Sequence, residues 1–256
     1  DKARDKKVND VGIKGTKNII KFSSENSKII FTSTHVVFEG AKSTLKGIDE
    51  NHETLPVLEY SKGKAQSEID LIKSERDYVI LRLGSVYGKS YDSTRLNIMP
   101  NLFSKITSDG GQIKLFAGGD QLKSLVSVYD VARCLEFVGE NKTISNEIFN
   151  CVNENITVKD VAKICKKINK NVDLLITKDS VPNKGYSLSN KKLKKTGFEF
   201  LYNLETSIEE MINAWMDKEI IDKNEFIEIG KDNFIDERGI ISNFYFDDQI
   251  NMIGYV

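Results

Sequence analysis

Thr34, Tyr60 and Lys64 offer a hydroxyl, a phenol and an ammonium within a short span of the chain. Tyr60 and Lys64 are four residues apart in a stretch, Tyr60 to Lys73, that reads as a helix, so they share one face. A free phenol, with a pKa of about 10, is a poor acid or base at neutral pH. A neighbouring ammonium favours the phenolate and lowers that value, which makes the tyrosine usable for proton transfer. A hydroxyl at Thr34 can hydrogen-bond a substrate oxygen while Tyr60 exchanges a proton with it and a hydride passes to or from a nicotinamide. The chemistry is carbonyl/alcohol redox. The spacing alone is a weak signal, because nine tyrosines in so lysine-rich a chain give roughly one such pair by chance.

The elements that must position these residues strengthen it. Lys28-Ile-Ile-Phe-Thr-Ser33 reads as a short buried strand with Ser33 and Thr34 at its carboxyl end, where open α/β sheets bind ligands. A second strand-then-loop follows at Tyr78-Val-Ile-Leu-Arg-Leu-Gly-Ser-Val-Tyr-Gly88, with Arg82 read as structural. Upstream, Gly15 to Phe22 reads as a helix with Asn9 as a cap before it. A polar loop spans Ala41 to Pro56, and Ile98 to Ile106 reads as an amphipathic helix near Pro100. Lys114 to Ala132 gives a strand, a Gly-Gly turn, a strand and a helix capped by Asp130. Glu147 to Val152 is a buried strand. Thr157 with Asp160 forms a loose capping box before the apolar stripe Val158, Val161, Ile164 and Ile168, and Thr206 with Glu209 caps the last helix, which Trp215 packs down.

Ser33-Thr-His-Val-Val-Phe-Glu-Gly40, Glu50-Asn-His-Glu53, Tyr60-Ser-Lys-Gly-Lys-Ala-Gln-Ser-Glu68 and Leu81-Arg-Leu-Gly-Ser-Val-Tyr-Gly88 resemble the extended short-chain dehydrogenase/reductase superfamily. Within it they are most similar to the dTDP-4-dehydrorhamnose reductases and their nucleotide-sugar relatives. The resemblance covers most of residues 8 to 217. It implies an α/β fold, a Rossmann-type parallel sheet with a small α+β substrate-binding subdomain, over residues 1–222. It implies Thr34, Tyr60 and Lys64 as the catalytic trio, NAD or NADP as cofactor held by Ser33, Tyr60, Lys64 and Val86, and a nucleotide-sugar substrate met by His35, Ser85, Tyr87 and Lys123. His35 stands where the family usually has Asp. Lys123 stands near a family Arg that pairs with the nucleotide diphosphate, keeping the charge but losing the bidentate fork. A G-x-x-G-x-x-G run after a first strand, which would cradle a pyrophosphate, is absent from the 256 residues. The expectation is therefore that about a third of the usual nucleotide-binding domain is missing from this polypeptide, which as given is not an autonomous enzyme. Residues 232–256, through Asp236-Glu-Arg-Gly239, resemble the opening strands of cupin-type sugar 3,5-epimerases.

Composition bounds the alternatives. With 39% hydrophobic residues the chain can build a real core. Its 37 basic and 38 acidic residues are well mixed, which disfavours nucleic acid as a partner. Three cysteines without a C-x-x-C pair and two histidines make no metal set. No apolar run approaches the roughly 20 residues that span a bilayer, and a reduced, cytoplasmic setting and a possible homodimer are expected. The expected activity is NAD(P)H-dependent reduction of a 4-keto-6-deoxy nucleotide sugar. The alternatives are an epimerase or 4,6-dehydratase, and a non-catalytic scaffold that keeps the fold.

Overall fold

The structure, a computed structural model, describes residues 5–41, 45–90, 94–179, 181 and 184–220. The tail from 221 onward, including the cupin-like stretch, lies outside the described residues.

The chain opens with helix α1 (Lys6–Phe22), capped by the Asp5 carboxylate on the Lys7 N–H at 2.8 Å. It starts earlier than the expected Gly15 and runs through both Gly12 and Gly15, because packing on the next helix offsets their propensity cost of about 1 kcal/mol each. Asn9 is thus inside α1 and caps nothing; its side chain donates to Glu59 at 2.8 Å. Strand β1 (Ile29–Thr34) ends in a 3-10 turn, His35–Phe38. Helix α2 (Glu59–Ile72) and strand β2 (Tyr78–Leu83) follow. The two helices lie side by side in the same direction, with Asn9 against Gly63 and Thr16 bonded to Ser67 at 3.0 Å. A Cβ at position 63 would stand 3.2 Å from the Asn9 Cα, so glycine permits this close approach.

The order of the first sheet is β1-β2-β6, all parallel, with β6 at Glu147–Cys151. Helix α2 packs against β1 and β2, and helix α4 (Val128–Glu140) also contacts β1. Val79, Leu81, Phe149 and Cys134 are buried in this core, where a fully buried large apolar side chain contributes roughly 1.5–3 kcal/mol. Asp130 does not cap α4. Ser127 does, and the fully buried Asp130 carboxylate instead accepts from the Leu201 and Tyr202 N–H groups and pairs with Arg133 at 2.7 Å.

The second lobe holds β3 (Ser85–Tyr87), β5 (Leu122–Ser127) and β7 (Glu154–Thr157) in the order β3-β5-β7, and a parallel pair of β4 (Gln112–Leu115) with β8 (Asp173–Ile176). The two strands flanking the Gly-Gly turn therefore do not pair with each other. Around them pack α3 (Met99–Ser108, Pro100 in its first turn), α5 (Val158–Ile168) and α7 (Leu204–Met216). Thr157 and Asp160 cap α5 as the sequence predicts. α7 starts earlier than predicted: Asn203 is its N-cap and bonds the Thr206 N–H at 2.9 Å. Between the short α6 (Lys191–Lys195) and the β5–β7 edge, segment 184–189 threads the two lobes together. Gly185 has φ +81° there, and a Cβ would lie 2.0 Å from the Leu122 carbonyl oxygen, so only glycine lets the chain pass.

Candidate active site

Thr34 stands at the carboxyl end of β1, where its Oγ accepts from the Val36 N–H at 3.3 Å and caps the 3-10 turn. α2 starts nearby, and its first turn brings the Tyr60 phenol beside the Thr34 hydroxyl. One turn later the Lys64 Nζ donates to the Thr32 carbonyl at 2.8 Å and lies 4.7 Å from the Phe31 ring and 5.9 Å from the Tyr60 ring. The trio is therefore assembled in one place. Tyr60, Lys64 and Phe31 line an open, mostly apolar cleft of about 520 Å³ together with Val8, Val11 and Gly12 of α1.

Electrostatics differs from the simple expectation. Burial raises the Tyr60 pKa above its ordinary value and outweighs the opposing hydrogen bond from Thr34 and the charge of Arg95. Burial also lowers Lys64, against the pull of Glu68. With its ammonium turned to the Thr32 carbonyl, Lys64 does not depress the phenol in this arrangement. Tyr60 is a protonated acid, ready to give a proton rather than to take one.

Ser33 faces the other way. Its buried hydroxyl donates to Glu68 Oε1 at 2.5 Å, and Glu68 is held in a buried ion pair by Arg82, whose Nη2 is 2.8 Å from Oε2. Arg82 also reaches the Glu50 carbonyl at 3.2 Å, and Glu50 Oε1 accepts from the Asn150 N–H at 2.8 Å. Arg82 is structural, as its sequence context suggests. Glu68 was not singled out from sequence, although its i,i+4 spacing from Lys64 was available as a signal.

His35 sits just past Thr34. Its Nδ1 is 3.0 Å from the Tyr186 hydroxyl and its Nε2 is 3.1 Å from Ser85 Oγ, while the Tyr186 hydroxyl also donates to the His35 carbonyl at 2.9 Å. Burial, with the nearby Lys123 charge, pushes the His35 pKa down to about 3, so the imidazole is neutral. Lys123 on β5 is itself lowered to about 8 by burial and has no ion-pair partner among the described residues. Sequence reasoning missed Tyr186, which lies 151 residues from its histidine partner and carries no local pattern.

Two predicted contacts are placed differently. Tyr87 is 1% exposed and packs with Phe103, Leu125 and Ile208 in the core of the second lobe, so its ring has almost no surface open to a ligand. The alternation of β3 sends Ser85 and Tyr87 to the same face, but the ring extends under α7 and α3. Val86 is half-buried against the core that holds Val126 and Val131.

Known proteins share this fold. A crystal structure of UDP-glucose 4-epimerase from Thermotoga maritima, solved with UDP-glucose, superposes with a TM-score of 0.71 at 21% identity, over 84% of this chain and 73% of that one. A dTDP-glucose 4,6-dehydratase from Bacillus anthracis, solved with NAD, gives 0.69 at 18% identity, over 82% and 68%. At these identities the likeness shows the fold. In sequence, a Methanocaldococcus jannaschii protein assigned as a UDP-glucose 4-epimerase is 27% identical over 165 residues, 57% of this chain and 53% of that protein, so the match spans about half of the relative's length. The model of the family described as the RmlD substrate binding domain matches residues 1–216, the stretch that contains every element described above, and the chain belongs to that family.

Proposed function

We propose that the chain acts in the NAD(P)H-dependent reduction of a 4-keto-6-deoxy nucleotide sugar. The observation that carries this reading is that Tyr60 and Lys64 line one open cleft, with Thr34 beside Tyr60 at the carboxyl end of β1. The Thr34 and Tyr60 hydroxyls are neighbours, so a carbonyl oxygen that enters between them can accept from both. Tyr60, kept protonated by burial, gives its proton to that oxygen as negative charge develops there.

The ribose end of a nicotinamide cofactor fits these residues, because Lys64 presents an ammonium at the edge of the open cleft. The glycine-rich cradle for its pyrophosphate is not within the 256 residues. A bound nicotinamide supplies hydride chemistry. Lys123, a half-buried cation with no carboxylate partner among the described residues, is the residue for the nucleotide diphosphate, and His35 and Ser85 for the sugar. Ser33, bonded to Glu68, supports the trio by tying β1 to α2, and the cofactor role of Val86 rests on the family resemblance alone.

The named relatives favour a second reading, a nucleotide-sugar epimerase, in which the cofactor is recycled. Incubation of a version that also carries a glycine-rich nucleotide-binding segment with NADPH and dTDP-4-keto-6-deoxyglucose separates them. The expected result is loss of the reduced-nicotinamide absorbance, which Tyr60→Phe cuts by about a hundredfold or more while sugar-nucleotide binding is retained in calorimetry. Unchanged turnover in Tyr60→Phe would overturn the assignment. An isomerised sugar without net oxidation selects the epimerase, and binding without any turnover selects the scaffold.

A further inference from the structure

The contacts around His35 determine where the protons lie. Burial holds Tyr186 well above the ordinary phenol value, so it is a neutral phenol with one hydrogen, and His35 is a neutral imidazole with one N–H. Three close contacts must share three hydrogens: Tyr186 hydroxyl to His35 carbonyl at 2.9 Å, His35 Nδ1 to Tyr186 oxygen at 3.0 Å, and His35 Nε2 to Ser85 Oγ at 3.1 Å. Only one arrangement makes all three hydrogen bonds. Tyr186 donates to the carbonyl, Nδ1–H donates to the Tyr186 oxygen, and Ser85 donates to the bare Nε2. The opposite tautomer spends the phenol hydrogen on Nδ1, abandons the carbonyl contact and keeps two bonds. The tautomer is thus set by the hydrogen bond on the far side of the ring.

We infer that His35 and Tyr186 are positioning residues that fix Ser85 as a hydrogen-bond acceptor, so that the site selects a nucleotide sugar carrying a free hydroxyl donor at the ring position facing Ser85. With its hydrogen committed to Nε2, the half-buried Ser85 offers only lone pairs to a ligand. A hydroxyl satisfies it, whereas a deoxy position or a keto oxygen leaves a polar group unpaired, which is how sites discriminate strongly. This rests on the nucleotide-sugar reading for the identity of the ligand, but the proton arrangement does not.

The test uses the full chain labelled with ¹⁵N-histidine. Only His35 and the exposed His52 give signals. The expected long-range ¹H–¹⁵N spectrum shows His35 protonated on Nδ1 alone; Nε2–H or a charged ring overturns the inference. In Tyr186→Phe, which removes the acceptor for Nδ1–H, the ring is expected to shift toward the Nε2–H form. Calorimetry with dTDP-glucose and its 2-deoxy and 3-deoxy analogues then reads the second half. One analogue is expected to bind at least tenfold more weakly, and Ser85→Ala, a small change that leaves the fold intact, is expected to remove that difference. Equal affinities in the unaltered chain overturn the selection of a hydroxyl. If no dTDP sugar binds, the nucleotide-sugar reading falls and takes the ligand assignment with it, while the spectrum still decides the polarity of Ser85.

Discussion

Lys123 carries a half-buried charge with no ion-pair partner among the described residues. Burial brings its pKa from 10.5 to about 8. Below about pH 8 it is charged in both the folded and the unfolded chain, and the folded protein bears the full cost of burying the charge. Between about pH 8 and 10.5 the folded state releases this proton while the unfolded state still holds it, so stability rises with pH across that window, by about 3 kcal/mol if the whole shift is realised. Lys123→Met is therefore expected to raise the thermal midpoint at pH 7 and to flatten the rise between pH 8 and 10.5 relative to the parent chain. Parallel pH curves for the two proteins would rule this out. The charge of Lys123 was readable in the sequence, but its burial was not, because that depends on which strands flank β5. Thr34, Tyr60 and Lys64 were legible for the opposite reason: a strand end and an i,i+4 helical pair are local geometry. His35 was noticed for its departure from a family pattern, and its partner Tyr186 had no local signal at all.

Among the elements, α2 carries both the chemistry and its support. One side presents Tyr60 and Lys64, and one turn further Glu68 anchors β1 through Ser33 and β2 through Arg82. Both side chains of that ion pair are nearly inaccessible, 5% and 4% exposed. Removing one partner leaves a charge buried without compensation, which costs about 3–5 kcal/mol. Glu68→Gln is expected to lower stability by about that amount in urea unfolding at pH 7, and a loss under about 1 kcal/mol would mean that water reaches the site. Most helices and strands were legible from periodicity, and the Thr157 cap was read correctly. Asp130 and Thr206 were misassigned because several capping residues lie within a few positions of each helix start, and the backbone, not the motif, selects among them. The pairing of β4 with β8 rather than β5 is a tertiary choice with no local trace.

At the scale of the whole molecule, β1 has a single neighbour, β2, among the described strands, and α1 exposes Val11, Ile19 and Phe22 at 66%, 56% and 74%. An open strand edge beside exposed apolar side chains favours association with another surface. Phe22→Lys is expected to reduce self-association of the chain in sedimentation velocity, most visibly at high protein concentration; an unaltered distribution would show that this face is inert. The contact between His35 and Tyr186 has a different consequence, for the order of events in folding. It closes a separation of 151 residues, and the closing of so long a loop brings a large entropic cost that only contacts formed earlier can offset. β1, α2 and β2 are near neighbours in sequence and can collapse on one another early, which assembles Thr34, Tyr60 and Lys64. The polar cluster at Ser85 must wait until segment 184–189 has passed Leu122 at Gly185, so the acid-base trio matures before the pocket that chooses what it acts upon.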